Sequence, residues 1–312
     1  MRTILGIIVV AALAFCGWWF VGAKMFRGGV EHWLAAQEAS GRSAAVEGMT
    51  VSGFPLTFRA TSGQVAIFDP KSGWGWQAPA AEVSMPAWWP LRVTVSLPER
   101  QVLETPAGQI DLNAAEAEGH VRLSTDLAPV AARAATGAVT ASMAMGELTA
   151  SGIRATSDRV SARSHHLTLQ ADGLALTSDI IDLDDGSLSM DATATLAERI
   201  DDLPDAVAVP IDEITLSSFD LRFGKMAVTG SGHILADARG FAAGDLTLRL
   251  ENWPDALDTA VAAGVIPANR VDMLEGAFRM MAADGTLELP LILSGGEVRF
   301  GPLPLGPAPR LR

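Results

Sequence analysis

From Leu246 to Leu293 the chain reads LTLRLENWPDALDTAVAAGVIPANRVDMLEGAFRMMAADGTLELPLIL, and the ends of that stretch follow one rule while its middle follows another. Leu246, Leu248 and Leu250 alternate with Thr247, Arg249 and Glu251, and Leu287, Leu289, Leu291 and Leu293 form a second alternating face. Period two puts apolar side chains on one side of a strand and polar ones on the other, as in an antiparallel sheet covered on one face. Between the two runs the spacing turns helical: Trp253, Leu257 and Val261 lie four apart, and Val271, Leu274, Phe278 and Met281 continue the theme. Asn252 suits an N-cap with Pro254 in the first turn, and Gly264 and Pro267 divide the segment into two helices. A helical insertion over about residues 253–283, its apolar stripe laid on the sheet or plugging one end of it, is the expected result.

The same alternation extends outward. Leu91, Val93, Val95 and Leu97 form one face. Ile214 and Leu216 share a parity that Phe219, Leu221 and Phe223 do not, so Ser217-Ser218 should be a bulge or bend. Leu167 and Leu169 against Leu174 and Leu176 slip in the same way around Asp172-Gly173. Gly53-Phe54-Pro55, Asp69-Pro70, Asp185-Gly186, Asp284-Gly285 and Gly295-Gly296 read as turns. The fold class is therefore mainly β: a long twisted antiparallel sheet, either a curled groove or an open barrel, with a C-terminal helical hairpin. No repeat of fixed period is present. Residues 301–312, rich in proline, read as extended. The Ala-rich stretch from Ala128 to Ala144 weakens the strand signal and offers a split near residue 120, but a single β-rich domain over 41–312 is the preferred division.

Thr3 to Ala23 carries no charged side chain, and about 20 such residues in a helix span a bilayer. Arg2 precedes the run, Lys24 and Arg27 follow it, and Trp18 and Trp19 sit near one end, where indoles favour the interface. Residues 1–25 are read as an uncleaved anchor, and 26–40 as a short amphipathic helix continuing from it, with Phe26, Val30, Trp33 and Leu34 at helical spacing and Gly41 ending it. A cleaved signal peptide, with Val21-Gly22-Ala23 as its cleavage site, is the competing reading, though the apolar run is long for one. The expected location is the inner membrane, single-pass, with the body in the periplasm.

Lys and Arg number 23 against 36 Asp and Glu, a formal charge of −13. An acidic chain without a basic stripe is a poor nucleic-acid ligand, and no nucleic-acid partner is expected. The one cysteine, Cys16, excludes an intrachain disulfide. There is no Tyr, no G-x-S-x-G elbow, no P-loop and no H-E-x-x-H. His165 and His166, adjacent on a strand, point to opposite faces, cannot share a metal and read as surface or edge residues. Asp179, Asp182, Asp184 and Asp185 before Gly186 lack the ligand spacing and terminal Glu of a calcium loop and read as an acidic hairpin tip. Paired carboxylates such as Asp201-Asp202, or Glu99 with Glu104, are ordinary in an acidic chain. No enzyme activity, metal or cofactor is expected.

Trp74, Trp76, Trp88 and Trp89 crowd a short stretch, with Trp74 and Trp76 on one strand face. They read either as an aromatic platform for lipid, glycan or the bilayer interface, or, preferably, as a packed cluster closing the membrane-proximal end of the sheet. The apolar groove or core is expected on Leu216, Leu221, Leu246, Leu248, Leu250, Leu289 and Leu291.

Four stretches carry a family resemblance: Gly53-Phe54-Pro55-Leu56 with Phe58; Asp69-Pro70 with Gly73-Trp74-Gly75-Trp76 and Ala78-Pro79; the strand Leu246 to Trp253 with its helical sequel; and Gly301-Pro302-Leu303-Pro304-Leu305-Gly306-Pro307-Ala308-Pro309-Arg310. Together they resemble the alphaproteobacterial domain of unknown function 2125 family over nearly the whole chain after the anchor. The last stretch is the most specific. The resemblance implies an envelope protein of a Gram-negative bacterium and brings no catalytic residues with it. On architecture alone, an anchor followed by a long sheet also looks like AsmA-type envelope proteins, whose apolar grooves carry lipids. Two functions follow as expectations. One is a non-catalytic module that binds or passes lipid along an apolar β-groove; the other is an envelope scaffold whose protein partners dock on sheet edges or the Pro-rich tail.

Overall fold

The computed structural model describes residues 2–39, 41–70, 72–144, 146–199, 210–262, 266, 268–282 and 285–312, with the side chains of the first helix described from Phe15 onward. The protein is mainly β, its strands antiparallel and its sheet open rather than closed. Contacts gather into two compact units, Met1–Ala134 and Ala135–Arg312, and the boundary falls inside the Ala-rich stretch.

The first unit begins with α1 (Arg2–Ala39), one unbroken helix through the segments read as anchor and amphipathic helix. Gly41, at φ +88°, ends it and returns its N–H to the Glu38 carbonyl at 2.9 Å. Among the described residues no helix is long and apolar enough to cross a membrane. The side chains of residues 2–14, the larger part of the charge-free run, lie outside them. The described end of that run packs on protein: Trp19 is buried, stacks on Phe58 with centroids 5.9 Å apart, and donates its indole N–H to the Thr57 carbonyl at 2.9 Å. Gly22 is required there, because a Cβ would enter the Phe58 ring.

The strands of this unit are β1 (Ser43–Val46), β2 (Thr50–Ser52), β3 (Thr57–Ser62), β4 (Val65–Asp69), β5 (Trp74–Ala78), β6 (Ala81–Pro86), β7 (Arg92–Ser96), β8 (Arg100–Thr105), β9 (Gly108–Ala114) and β10 (Glu118–Leu123). They pair in two antiparallel rows, β1-β4-β5-β8-β9 and β2-β3-β6-β7-β10. After β11 (Pro129–Thr136) the second unit runs through β12 (Val139–Met143), β13 (Gly146–Ala150), β14 (Gly152–Arg159), β15 (Ser164–Thr177), β16 (Asp182–Leu196), β17 (Ile211–Phe223), β18 (Met226–Ala236) and β19 (Ala242–Glu251). There follow α2 (Trp253–Ala262), a 3-10 turn at Ala268–Arg270, α3 (Val271–Met281), β20 (Thr286–Ser294), β21 (Glu297–Phe300) and β22 (Leu303–Pro307). From β15 to β22 each strand pairs antiparallel with the next.

Both predicted slips are present. The β17 register shifts between Leu216 and Phe219, and β15 shifts around Gly173, whose φ is +59°. Gly295 and Gly296, both at positive φ, close the two-residue hairpin between β20 and β21. The helical insertion is confirmed in α2 and α3, while Gly264, Pro267 and Asp284 lie outside the described residues.

Two expectations are corrected, and a third gains a partner strand. Asp185-Gly186 is not a hairpin tip: it lies inside β16, Gly186 pairs with Phe223, and the chain turns earlier, where the Ser178 N–H meets the Ile181 carbonyl at 2.7 Å. The Asp-Gly pair is needed for space, since Asp185 takes φ +50° and a Cβ on Gly186 would enter the Phe223 ring. The Pro-rich terminus is extended as expected and is also paired: β22 pairs with β21, and beyond it Leu311 donates to Gly240 and Ile211 to Leu311, both at 2.8–2.9 Å. His165 is no surface residue: it is buried at 7% exposure, with Nδ1 3.3 Å from the Ser157 hydroxyl.

Candidate binding cavity

The strand register places the seven predicted leucines on one face. One row across the sheet is Leu216 on β17, Gly232 on β18, Leu246 on β19, Leu291 on β20 and Phe300 on β21. The next is Phe219, Gly230, Leu248 and Leu289, and the third is Leu221, Val228, Leu250 and Leu287. Cross-strand partners share a face, so the rows form a leucine floor. Gly230 and Gly232 leave room for it: Cβ atoms there would strike the Leu248 side chain and the β19 backbone.

The helical hairpin lies over β19–β21. Trp253, Leu257, Leu274 and Phe278 join Leu287, Leu289, Leu291 and Phe300 in one buried cluster, with Trp253 and Phe278 edge to face at 5.8 Å. The cover is incomplete. A cavity of about 360 Å³ remains between helices and sheet. Leu248, Leu250, Leu289 and Leu291 form its floor, and Leu257, Leu274 and Phe278 its roof. Leu246 packs against the same cluster, whereas Leu216 and Leu221 continue the floor on β17 without lining the cavity.

Arg270 is the one charged residue in the lining. Its Nη1 donates to the Pro304 carbonyl at 2.8 Å, tying the start of α3 to β22, and no carboxylate pairs with it among the described residues. Leu305 and Gly306, from the terminus read as extended, complete the wall. Sequence reading missed Arg270, Ile266 and Leu305, because only the pairing of β22 brings that terminus to the helices. The chemistry is that of an apolar container with one cation on its wall. Such a lining offers apolar surface and one hydrogen-bond-donating cation.

The four tryptophans do not form one platform. The Trp76 indole donates to Gln101 at 2.9 Å within the β5–β8 pair, and Trp74 on the same strand is exposed. Trp88 and Trp89, in the loop between β6 and β7, are 68% and 51% exposed. They are therefore not the packed cluster expected, and among the described residues no ring contact joins them to Trp74 or Trp76. No group of three or more His, Cys, Asp or Glu converges as a metal site among the described residues. Asp201-Asp202 lie outside them.

No curated protein and no solved structure matches the chain. A family model described as "Uncharacterized protein conserved in bacteria (DUF2125)" matches residues 19–309, nearly the whole length, and takes in three of the stretches that carried the resemblance and the fourth up to Pro309. The chain belongs to the DUF2125 family.

Proposed function

We propose that the C-terminal unit binds the acyl chain of a lipid in the cavity between the helical hairpin and β19–β22, and that the protein carries or presents that lipid without transforming it. The observation that supports this reading is the cavity itself. Ligand pockets range over roughly 300–1,000 Å³, so about 360 Å³ suits one chain. The hollow is partly open, so it leaves leucine surface uncovered that a hydrocarbon chain would cover. Arg270 on the lining favours a ligand with an acidic head.

The same reading places the protein at the inner membrane with its body in the periplasm. The charge-free run Thr3–Ala23 supports a tether, and so do the exposed Trp18, Phe20, Phe54, Leu56, Trp88 and Trp89 around its described end. The absence of catalytic motifs from the sequence supports a carrier over an enzyme.

The test is native mass spectrometry with lipid extraction on the full chain released from membranes. The expected result is a bound fatty acid or phospholipid that is lost in Leu257→Trp, where the larger ring fills the cavity from its roof. Recovery of no lipid above control levels, or lipid retained in Leu257→Trp, overturns the proposal.

A further inference from the structure

A second site lies in the first unit, on β7 and β10. Arg92 and Arg122 are direct cross-strand partners, and the next pair on the same face is Thr94 and His120. Arg133, from β11, joins them around an open groove of about 410 Å³, with Pro86 at its edge. Like charges set directly opposite each other on adjacent strands destabilise a sheet. Here nothing offsets the cost: among the described residues none of the three guanidinium groups meets a carboxylate or donates a side-chain hydrogen bond. Many of the other described arginines do find acids: Arg59 with Glu82 at 3.0 Å, Arg249 with Glu288 at 3.4 Å, Arg312 with Asp212 at 2.7 Å. The neighbouring carboxylates stand at the other end of these strands. Glu82 and Glu118 both pair with Ser96, and Glu118 turns to His120 at 3.4 Å. Three donor-rich planar cations left without anions in one groove fit an anion with several acceptor oxygens.

The surroundings narrow its source. The groove opens beside the loop that joins β6 to β7, and that loop carries the exposed Trp88 and Trp89. The indole of Trp18 donates to the Ala87 carbonyl at 3.2 Å, and Ala87 donates to the Leu56 carbonyl at 2.8 Å. Phe54 stacks on Phe20 at 5.8 Å, so this end of the unit is one apolar and aromatic rim. Tryptophan next to arginine is the composition of the headgroup layer, where the indole sits at the boundary and the guanidinium meets phosphate.

We infer that the Arg92–Arg122–Arg133 groove binds a phosphate group carried by an anionic lipid headgroup at the bilayer surface. The observation is independent of the C-terminal cavity, since no residue is shared between them.

The experiment titrates the full chain, in a nonionic detergent, with dihexanoyl phosphatidic acid, dihexanoyl phosphatidylcholine and inorganic phosphate, followed by calorimetry. Phosphatidic acid is expected to bind at least about tenfold more tightly than phosphatidylcholine, because charge-assisted hydrogen bonds of this kind are each worth a factor of that order. The preference is expected to weaken as salt rises. The double substitution Arg92→Gln and Arg122→Gln should erase it while leaving the melting temperature equal or higher, since the opposed charges are gone. A purely structural role would instead lower it. Arg59→Gln, whose guanidinium is already paired, should leave affinity unchanged. Inorganic phosphate binding as tightly as phosphatidic acid overturns the lipid source. Equal affinity for the two lipids, or a preference that survives the double substitution and is lost in Leu257→Trp, overturns the groove.

Discussion

His165 and His166 are neighbours on β15 with opposite fates. His166 reaches out to Asp191 at 2.9 Å, while His165 turns inward beside Ser157. Burial, and then the positive Arg159 across the strand pair, hold the His165 imidazole below its usual value near 6.5. The unfolded chain therefore takes up a proton that the fold resists. Stability is full above about pH 6.5 and is lost as pH falls below it. Urea midpoints measured from pH 7.5 down to 5 should drop more steeply in the parent than in His165→Gln, and parallel curves would refute the assignment. Sequence gave the opposite directions of the two side chains, because alternation is a local property. It could not give the burial of His165, which depends on β14 and β16 flanking it on either side. Gly186 teaches the same lesson. An Asp-Gly pair reads as a turn when only its neighbours in sequence are visible, and as a slot for Phe223 once β17 is in place.

Among elements, β19 and β20 were the most legible, because each has a strict period of two and one covered face. The alternation in β20 is complete, with Leu287, Leu289, Leu291 and Leu293 all buried and Glu288, Pro290 and Ile292 exposed. Leu287 is fully buried under the helical hairpin, and Leu287→Ala should cost about 2–5 kcal/mol in urea unfolding, at the high end if the site does not collapse. A loss below 1 kcal/mol would mean that the hairpin does not seal this row. The hairpin itself was legible from its spacing of four. The cavity beneath it was not, because a void is a mismatch between two surfaces and has no signature in either one. The pairing of β22 was hidden for a related reason: its prolines suppress the strand signal, yet proline is tolerated on edge strands.

For the whole molecule, the acidic composition ruled out a polybasic surface but hid the arginine groove, since a net charge averages over position. Three basic residues from β7, β10 and β11 become neighbours only through pairing. The apolar rim beside them was half legible: the tryptophans could be counted, but their exposure could not. If this rim seats on a bilayer, replacing Trp88 and Trp89 together by Ser should weaken binding of the purified protein to phosphatidylglycerol vesicles at least about tenfold, because each indole contributes interfacial transfer energy, while the melting temperature stays unchanged. Undiminished vesicle binding would remove the rim from any membrane role.

Strand β22 holds one side of the hollow by a single line of pairing. Leu305 and Gly306 supply the last wall of the cavity, and beyond them Arg312 is paired with Asp212 at 2.7 Å. With β22 detached from β21, the same helices and leucines would form a trough with one wall missing. Amide hydrogen exchange reads that opening directly: β22 amides that exchange well before those of β20 would mark this strand as the movable side of the hollow.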